Sequence, residues 1–265
     1  PHAARMENRL PAPLWPVARQ LSAMASGEVT ATALLAETRA RARHFARFRA
    51  YSALAPQAAP APGPLAGVAL AVKGNIPVAD LPHTEGSAAF RGRVARADAA
   101  CVAMLRAAGV VPVGMATLSE LAMYAAENPA EPMGLNLWDP ARTAGGSSTG
   151  CGVAVALGLA ALGIGTDSGG SVRNPALHCG VVGFKPSLGA WSYAGVPVWA
   201  PSLDTLGLLG RRVDCVARGA AVLGTPRTEA PDRPRLIVPA RLVAEADGPT
   251  RALFAAALTR LSGFD

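Results

Sequence analysis

Residues 163–176 read Gly-Ile-Gly-Thr-Asp-Ser-Gly-Gly-Ser-Val-Arg-Asn-Pro-Ala, and this stretch carries the strongest indication of the fold. An apolar strand ends in a loop of small residues, and a helix or turn begins again at the Asn-Pro pair. The successive N–H groups of Ser168, Gly169, Gly170 and Ser171 can converge on an anion, because glycine permits a close approach of the backbone. With a serine at its end, the loop has the layout of an oxyanion hole beside a nucleophile.

A second cluster of small residues lies upstream, where residues 144–152 read Ala-Gly-Gly-Ser-Ser-Thr-Gly-Cys-Gly. A helix is predicted to begin here at about Thr149, and a capping turn made by the hydroxyl groups is one interpretation. The segment from Gly146 to Gly150 also matches Gly-x-Ser-x-Gly, the nucleophile elbow of α/β-hydrolases. That motif needs an aspartate and then a histidine downstream, and His178 is the only histidine that follows, which gives it little support.

The lysine content singles out one residue. Only two of the 25 cationic residues are lysines, Lys73 and Lys185, and the others are arginines. A lysine at the end of a strand usually extends its amine to water. Arginine cannot lose its proton in a protein, however, whereas a desolvated lysine can become a neutral base. Lys73 ends an apolar strand and is placed for that change.

Apolar strands alternate with helices along most of the chain, which predicts an α/β fold with a sheet covered by helices on both faces. We expect an N-terminal helical region over 1–54, a Pro/Ala linker over 55–64 and a core over 65–265. A helix is expected from Thr30 to about Arg49. Within the core, strands are expected at 65–72, 110–115, 162–165, 181–184 and 236–238, and helices at 98–108, 118–124, from 149, at 213–223 and at 250–261.

Composition narrows the class of protein further. Of the 265 residues, 51% are hydrophobic and 16% are charged, a balance that excludes intrinsic disorder. The net charge is +7, but on a helix the arginines between residues 39 and 49 would be spread over more than one face, so direct nucleic-acid binding is not expected. The longest apolar run, 151–165, is too short to span a membrane.

The cysteines indicate the compartment. The sequence contains four of them, without a Cys-x-x-Cys pair, which favours a reducing cytoplasm over disulfides or zinc.

In their order and spacing, these motifs closely resemble the amidase signature family. The resemblance extends from about Leu65, where the sequence reads LAGVALAVKGNI, to Leu223. It includes VVGFKPS at 181–187 and SLDTLG at 202–207. It implies the family's mixed sheet, covered by helices on both faces.

The resemblance also implies a Ser-Ser-Lys catalytic triad and hydrolysis of amide C–N bonds. Ser171 falls on the acyl-forming nucleophile, Ser147 on the cis-peptide bridging serine and Lys73 on the base. Neutral Lys73 would accept a proton from Ser147 as Ser147 accepts one from Ser171. Ser168, Gly169 and Gly170 would hold the oxyanion, and no metal or cofactor is expected.

The sequence departs from the family at three places. Gly74 follows the base lysine where the family usually has aspartate, and Thr149 and Cys151 interrupt the small-residue run. Family members also continue well beyond Asp265, so we expect a C-terminally truncated form of the family's fold.

Indications of the substrate are few. Leu121, Met123 and Tyr124 resemble by position the residues lining the acyl pocket, although a core helix face explains them equally well. Arg173 could bind a substrate carboxylate or pair with Asp167 or Asp204.

We therefore expect an amidase acting on a small-molecule amide, and leave a homo-oligomer open. One alternative is the glutaminase subunit of a tRNA-dependent amidotransferase. The other is an inactive fragment that binds a partner through an exposed apolar face.

Overall fold

The computed structural model describes residues 10–123, 127–225 and 236–261. The chain divides into two compact units, residues 1–225 and 226–265. Six strands form one sheet in the first unit: β1 (Tyr51–Leu54), β2 (Ala69–Lys73), β3 (Val111–Ala116), β4 (Leu162–Asp167), β5 (Val182–Phe184) and β6 (Thr205–Gly210). Their order across the sheet is β1-β3-β2-β4-β6-β5.

The sheet is mixed, as the resemblance implies. Strand β2 lies at its centre and runs parallel to both β3 and β4. The outer strands β1, β6 and β5 each run antiparallel to the strand beside them. All residues of β2, β3, β4 and β6 are buried, which explains why these strands are apolar along their whole length.

Helices cover both faces of this sheet, which confirms the α/β prediction. The first unit contains α1 (Val17–Ala25), α2 (Ala31–His44), α3 (Ala100–Ala107), α4 (Thr149–Ala156), α5 (Arg173–Cys179) and α6 (Val213–Val222). Because side chains alternate along a strand, Leu70 and Val72 share a core with α3 and α6, while Ala71 packs with α4 and α5. Apolar side chains therefore pack against both faces of the sheet.

The second unit consists of two helices in its described part, α7 (Ala240–Glu245) and α8 (Gly248–Thr259). The side chain of Asp247 caps α8 by accepting a hydrogen bond of 2.7 Å from the Thr250 N–H. The strand predicted at 236–238 is wrong, because these residues are irregular backbone before α7.

Several local predictions differ from the structure. The sequence pattern does not indicate strands β1 and β6, and the predicted helix at 118–124 is a 3₁₀ turn over Glu120–Ala122. Strand β6 has a weak sequence signal, since glycines weaken strand propensity. Glycine at position 207 lets β6 lie close to β5, because a Cβ there would be 2.7 Å from the carbonyl oxygen of Phe184. The helix predicted from Thr30 to about Arg49 ends earlier, at His44. Arg49 itself adopts a left-handed conformation with φ of 54°.

The topology brings the chemically distinctive residues together. Parallel neighbours end at the same edge of a sheet, and Lys73 is the last residue of β2 while Asp167 is the last residue of β4. Helix α4 begins beside them, and the N–H of its Gly150 donates to the carbonyl of Thr117, just after β3. In the described part of the chain, no helix is both long and apolar enough to cross a membrane.

Helix α4 approaches the sheet closely at its Gly150, where a side chain would meet backbone atoms. A Cβ at this position would lie 2.5 Å from the backbone nitrogen of Thr117 and still closer to the carbonyl oxygen of Ala50. In an open helix, Gly→Ala stabilises by about 1 kcal/mol. We expect Gly150→Ala instead to lower the free energy of unfolding by about 3 kcal/mol, because backbone atoms must move.

Urea denaturation measures this change. Gly248→Ala is the control, because the α8 glycine has open space around it. A Gly150→Ala variant as stable as the wild type would contradict the close packing of α4.

Candidate active site

The amine of Lys73 lies in the interior of the protein. Its Nζ donates hydrogen bonds of 2.7 Å to Ser147 Oγ and 2.7 Å to Thr166 Oγ1, and lies 3.3 Å from the Thr166 carbonyl oxygen. The side chains of Lys73 and Ser147 are completely buried. An amine held this way is in hydrogen-bond contact with a hydroxyl whose proton it can accept.

Burial lowers the pKa of Lys73 to about 7. Cys151, Asp167 and Asp204 oppose this effect, but burial raises the pKa of the Cys151 thiol to about 12, so that thiol is uncharged at neutral pH. The change from the ordinary value of 10.5 corresponds to about 5 kcal/mol against the ammonium form. Burial therefore favours the neutral amine of Lys73 near neutral pH.

Ser147 is held between two loops. The peptide bond between Gly146 and Ser147 is cis. The Gly146 N–H donates to Asn174 Oδ1 at 3.2 Å, and the Ser148 N–H donates to the Ser171 carbonyl oxygen at 3.0 Å. These bonds attach the Gly-Gly-Ser-Ser turn to the loop that carries Ser171.

The Asp167 side chain fixes the loop that carries Ser171 through hydrogen bonds. Its carboxylate accepts hydrogen bonds from the N–H groups of Gly170 (2.7 Å), Val172 (3.1 Å) and Arg173 (3.3 Å). The Arg173 side chain adds contacts of 3.0 Å from Nε and 2.9 Å from Nη2. Burial alone would raise the pKa of Asp167, but the Arg173 guanidinium and these N–H donors hold it below its usual value. The carboxylate is therefore ionised and fixes the loop conformation.

The N–H groups of this loop differ in whether they already have a hydrogen-bond acceptor. The N–H of Gly170 already donates to Asp167. Among the described residues, the N–H groups of Ser168, Gly169 and Ser171 have no hydrogen-bond acceptor. The Ser168 hydroxyl donates to Asp204, whose other oxygen accepts from two backbone N–H groups.

A cavity of about 370 Å³ opens over these groups. Ser147 and Ser171 both line it, with Ser171 partly exposed and Ser147 buried, and no hydrogen bond joins their hydroxyls. Leu121 also lines the cavity, whereas Met123 and Arg173 do not, and Tyr124 lies outside the described residues. Arg173 instead makes the Asp167 pair that the sequence left as its structural alternative. The complete lining set is Asn75, Glu85, Phe90, Leu121, Ala122, Gly146, Ser147, Thr166, Ser168, Gly169, Gly170, Ser171, Asn174, Tyr193, Pro197, Val198, Trp199 and Asp204.

Two further residues at this site are not identified by the sequence motifs. Thr166 contacts the Lys73 amine, and Asn75 Nδ2 donates to Thr166 Oγ1 at 3.1 Å. Both are polar residues at the ends of apolar strands, which is the signal that could have identified them. Their side chains connect the ends of β2 and β4 beneath the cavity.

The buried amine predicts a dependence of stability on pH. Because the pKa of Lys73 is about 7 in the folded chain, against 10.5 for a lysine exposed to water, the unfolded chain binds more protons between these values. The free energy of unfolding should therefore gain a contribution as pH rises from 7 to 10. Lys73→Met removes the ionisable group and should stabilise the protein by about 1–4 kcal/mol at pH 6, with a smaller effect at pH 10.

Urea denaturation of both proteins at pH 6, 8 and 10 measures this difference. Equal pH dependence of the wild type and Lys73→Met would contradict the lowered pKa.

Known proteins share this architecture. The family model described as Amidase matches residues 28–254. The A subunit of the glutamyl-tRNA(Gln) amidotransferase of Symbiobacterium thermophilum is 46% identical over 165 residues, covering 62% of this chain and 34% of that protein.

Solved structures of amidases have a similar fold. A crystal structure of an amidase superposes with a TM-score of 0.83 and 34% identity, covering 93% of this chain and 60% of that chain. A peptide amidase from Stenotrophomonas maltophilia superposes with a TM-score of 0.74 and 29% identity, covering 83% and 51%.

The chain spans about a third of the curated relative and a half to three fifths of the two solved structures. The family model covers most of the chain, and both solved structures have the same fold. This chain therefore belongs to the Amidase family.

Proposed function

We propose that this chain hydrolyses the C–N bond of an amide through an acyl-enzyme on Ser171. One observation carries the proposal: the Lys73 amine, with its pKa lowered to about 7, lies 2.7 Å from the hydroxyl of Ser147. Ser147 and Ser171 line the same cavity, where a substrate carbonyl has access to both. A neutral base in contact with a bridging hydroxyl supplies what a serine nucleophile needs.

Acylation begins with two coupled proton transfers. Nζ of Lys73 accepts the proton of Ser147 Oγ while Ser147 accepts that of Ser171 Oγ, which attacks the carbonyl carbon. The carbonyl oxygen becomes an oxyanion and accepts hydrogen bonds from the loop. The N–H groups of Ser168, Gly169 and Ser171 serve this role best, because the Gly170 N–H already donates to Asp167.

Collapse of the tetrahedral intermediate breaks the C–N bond. Ser147 donates a proton to the departing nitrogen and regains one from Lys73, so the amine leaves uncharged. Water then donates a proton through Ser147 to Lys73 and attacks the ester carbonyl. Carboxylic acid leaves, Ser171 recovers its proton, and the relay returns to its starting state.

Labelling with a fluorophosphonate tests the nucleophile and the base. The wild type should form one adduct by intact mass, and Ser171→Ala should form none. Lys73→Arg keeps the charge but cannot act as a base, and should slow labelling by about 100-fold or more. Since the neutral amine is required, the wild-type rate should rise with pH up to about 7 and level off above it.

Ser192→Ala is the control, because Ser192 is exposed and does not line the cavity. An adduct that persists in Ser171→Ala, or normal labelling of Lys73→Arg, would refute the assignment. A folded wild type that forms no adduct would favour the inactive, partner-binding fragment.

The curated relatives favour a second and narrower candidate, the glutaminase subunit of a tRNA-dependent amidotransferase. Relatives from Symbiobacterium thermophilum and Rhodopirellula baltica are both named as the A subunit of glutamyl-tRNA(Gln) amidotransferase, at 46% and 39% identity. The same Ser171 chemistry would release ammonia from glutamine for a partner protein to use. All four cysteines are free and buried, which supports function in a reducing cytoplasm.

Release of ammonia from glutamine tests this candidate. If it holds, the chain supplied with the partner subunits and charged tRNA should release ammonia at least about 10-fold faster than the chain alone, because activity would be coupled to the acceptor. Ser171→Ala should abolish the release. Hydrolysis of simple amides without any response to glutamine or tRNA would favour the free-standing amidase.

A further inference from the structure

A second cavity adjoins the catalytic one. It has a volume of about 330 Å³, and Tyr193, Val198 and Asp204 line both cavities. These three residues therefore form a shared wall along which the two spaces meet. The second cavity lies between β6 and the loop over residues 186–201, and its lining residues are Pro186, Ser187, Leu188, Gly189, Trp191, Tyr193, Val198, Pro201, Asp204, Thr205 and Leu206.

Most of this lining is apolar. Trp191 and Leu206 are buried and belong to one core of the sheet. At the rim, Leu188 and Val198 expose 55% and 63% of their surface. Removing such exposed apolar surface from water stabilises a complex by roughly 25 cal/mol per Å², which favours an apolar ligand.

The wall carries no charge that is free to bind a ligand. Both carboxylate oxygens of Asp204 already accept protein hydrogen bonds, from the Ser168 hydroxyl and from the N–H groups of Trp199 and Ala200. Burial raises the pKa of Tyr193 to well above 10, so its phenol is neutral at working pH. Among the described residues, Asp204 and Tyr193 are the ionisable members of this lining.

Tyr193 is held in this shared wall by packing alone. Its ring packs against the apolar core, and its hydroxyl has no hydrogen-bond partner in the described part of the chain. Shortening this side chain would therefore widen the space where the two cavities meet without breaking a polar network.

We propose that the second cavity binds an apolar alkyl or aryl group of a substrate whose scissile amide lies at Ser171, and that Tyr193 limits the length of this group. The inference rests on the proposed acylation of Ser171. It names neutral amides with a hydrophobic extension as the substrate class, in preference to small charged amides such as glutamine.

Fluorophosphonates of graded size test the proposal by their rates of reaction with Ser171. We would compare methyl, butyl and octyl probes with an octyl-length probe that ends in a carboxylate. In the wild type, the neutral octyl probe should react about 10-fold faster than the methyl probe and than the carboxylate probe, since each buried methylene contributes to transition-state binding.

Variants on both sides of the wall sharpen the test. Tyr193→Ala should raise the octyl-to-methyl rate ratio about 5-fold by widening the space where the cavities meet, whereas Ser187→Trp should lower it about 10-fold by filling the second one. Leu188→Asp, at an exposed position, should also lower the ratio. Trp138→Ala is the matched control, because this exposed aromatic residue lines neither cavity.

An octyl-to-methyl ratio near one in the wild type, or a ratio that Ser187→Trp and Leu188→Asp leave unchanged, would overturn the inference while leaving acylation intact. Faster reaction of the carboxylate probe would overturn it in favour of a charged substrate. Absence of labelling by every probe, the methyl probe included, would instead refute the acylation of Ser171 itself.

Discussion

The contact between the Lys73 amine and the Ser147 hydroxyl is the interaction on which the proposed catalytic arrangement depends. An ammonium group in this position would be costly to bury, and the lowered pKa of Lys73 is the consequence. The same burial that opposes the charge favours the neutral amine that the proposed base requires. The sheet contributes directly, because β2 ends in the interior beneath α4 and the amine has no route to water. Thr166, from the neighbouring β4, holds the amine from the other side.

Asp167 fixes the conformation of the loop that carries Ser171. It is a buried carboxylate at the end of β4, and three N–H groups and the Arg173 guanidinium compensate its desolvation. This network gives Arg173 a structural partner and uses the Gly170 N–H, so the remaining free N–H groups of the loop are those best suited to an oxyanion. The two strand ends thus place a buried amine with a lowered pKa beside an ionised carboxylate that fixes the loop.

The walls of the catalytic cavity bear on the two candidate functions. Curated relatives named as amidotransferase subunits direct attention to glutamine, a small charged amide. The described lining offers Glu85 and Asp204 but no cation to hold a substrate carboxylate, and its neighbouring space is largely apolar. The chain spans only part of its relatives, and charged contacts to glutamine would have to come from segments or partners outside this lining.

Motif order and continuous apolar strands are enough to predict the family, the α/β class and the three residues of the proposed relay from the sequence alone. They do not identify β6 or the role of Thr166, since glycine-rich strands have weak propensity and a threonine in a strand has many uses. The lowered pKa of Lys73, the partner of Arg173 and the set of free loop N–H groups follow only from the folded chain. The Lys73 contacts join segments far apart in the sequence, since 74 and 93 residues separate Lys73 from Ser147 and Thr166. The contacts of Asp167 with Arg173 and Gly170 are local, but they depend on the folded conformation of the loop.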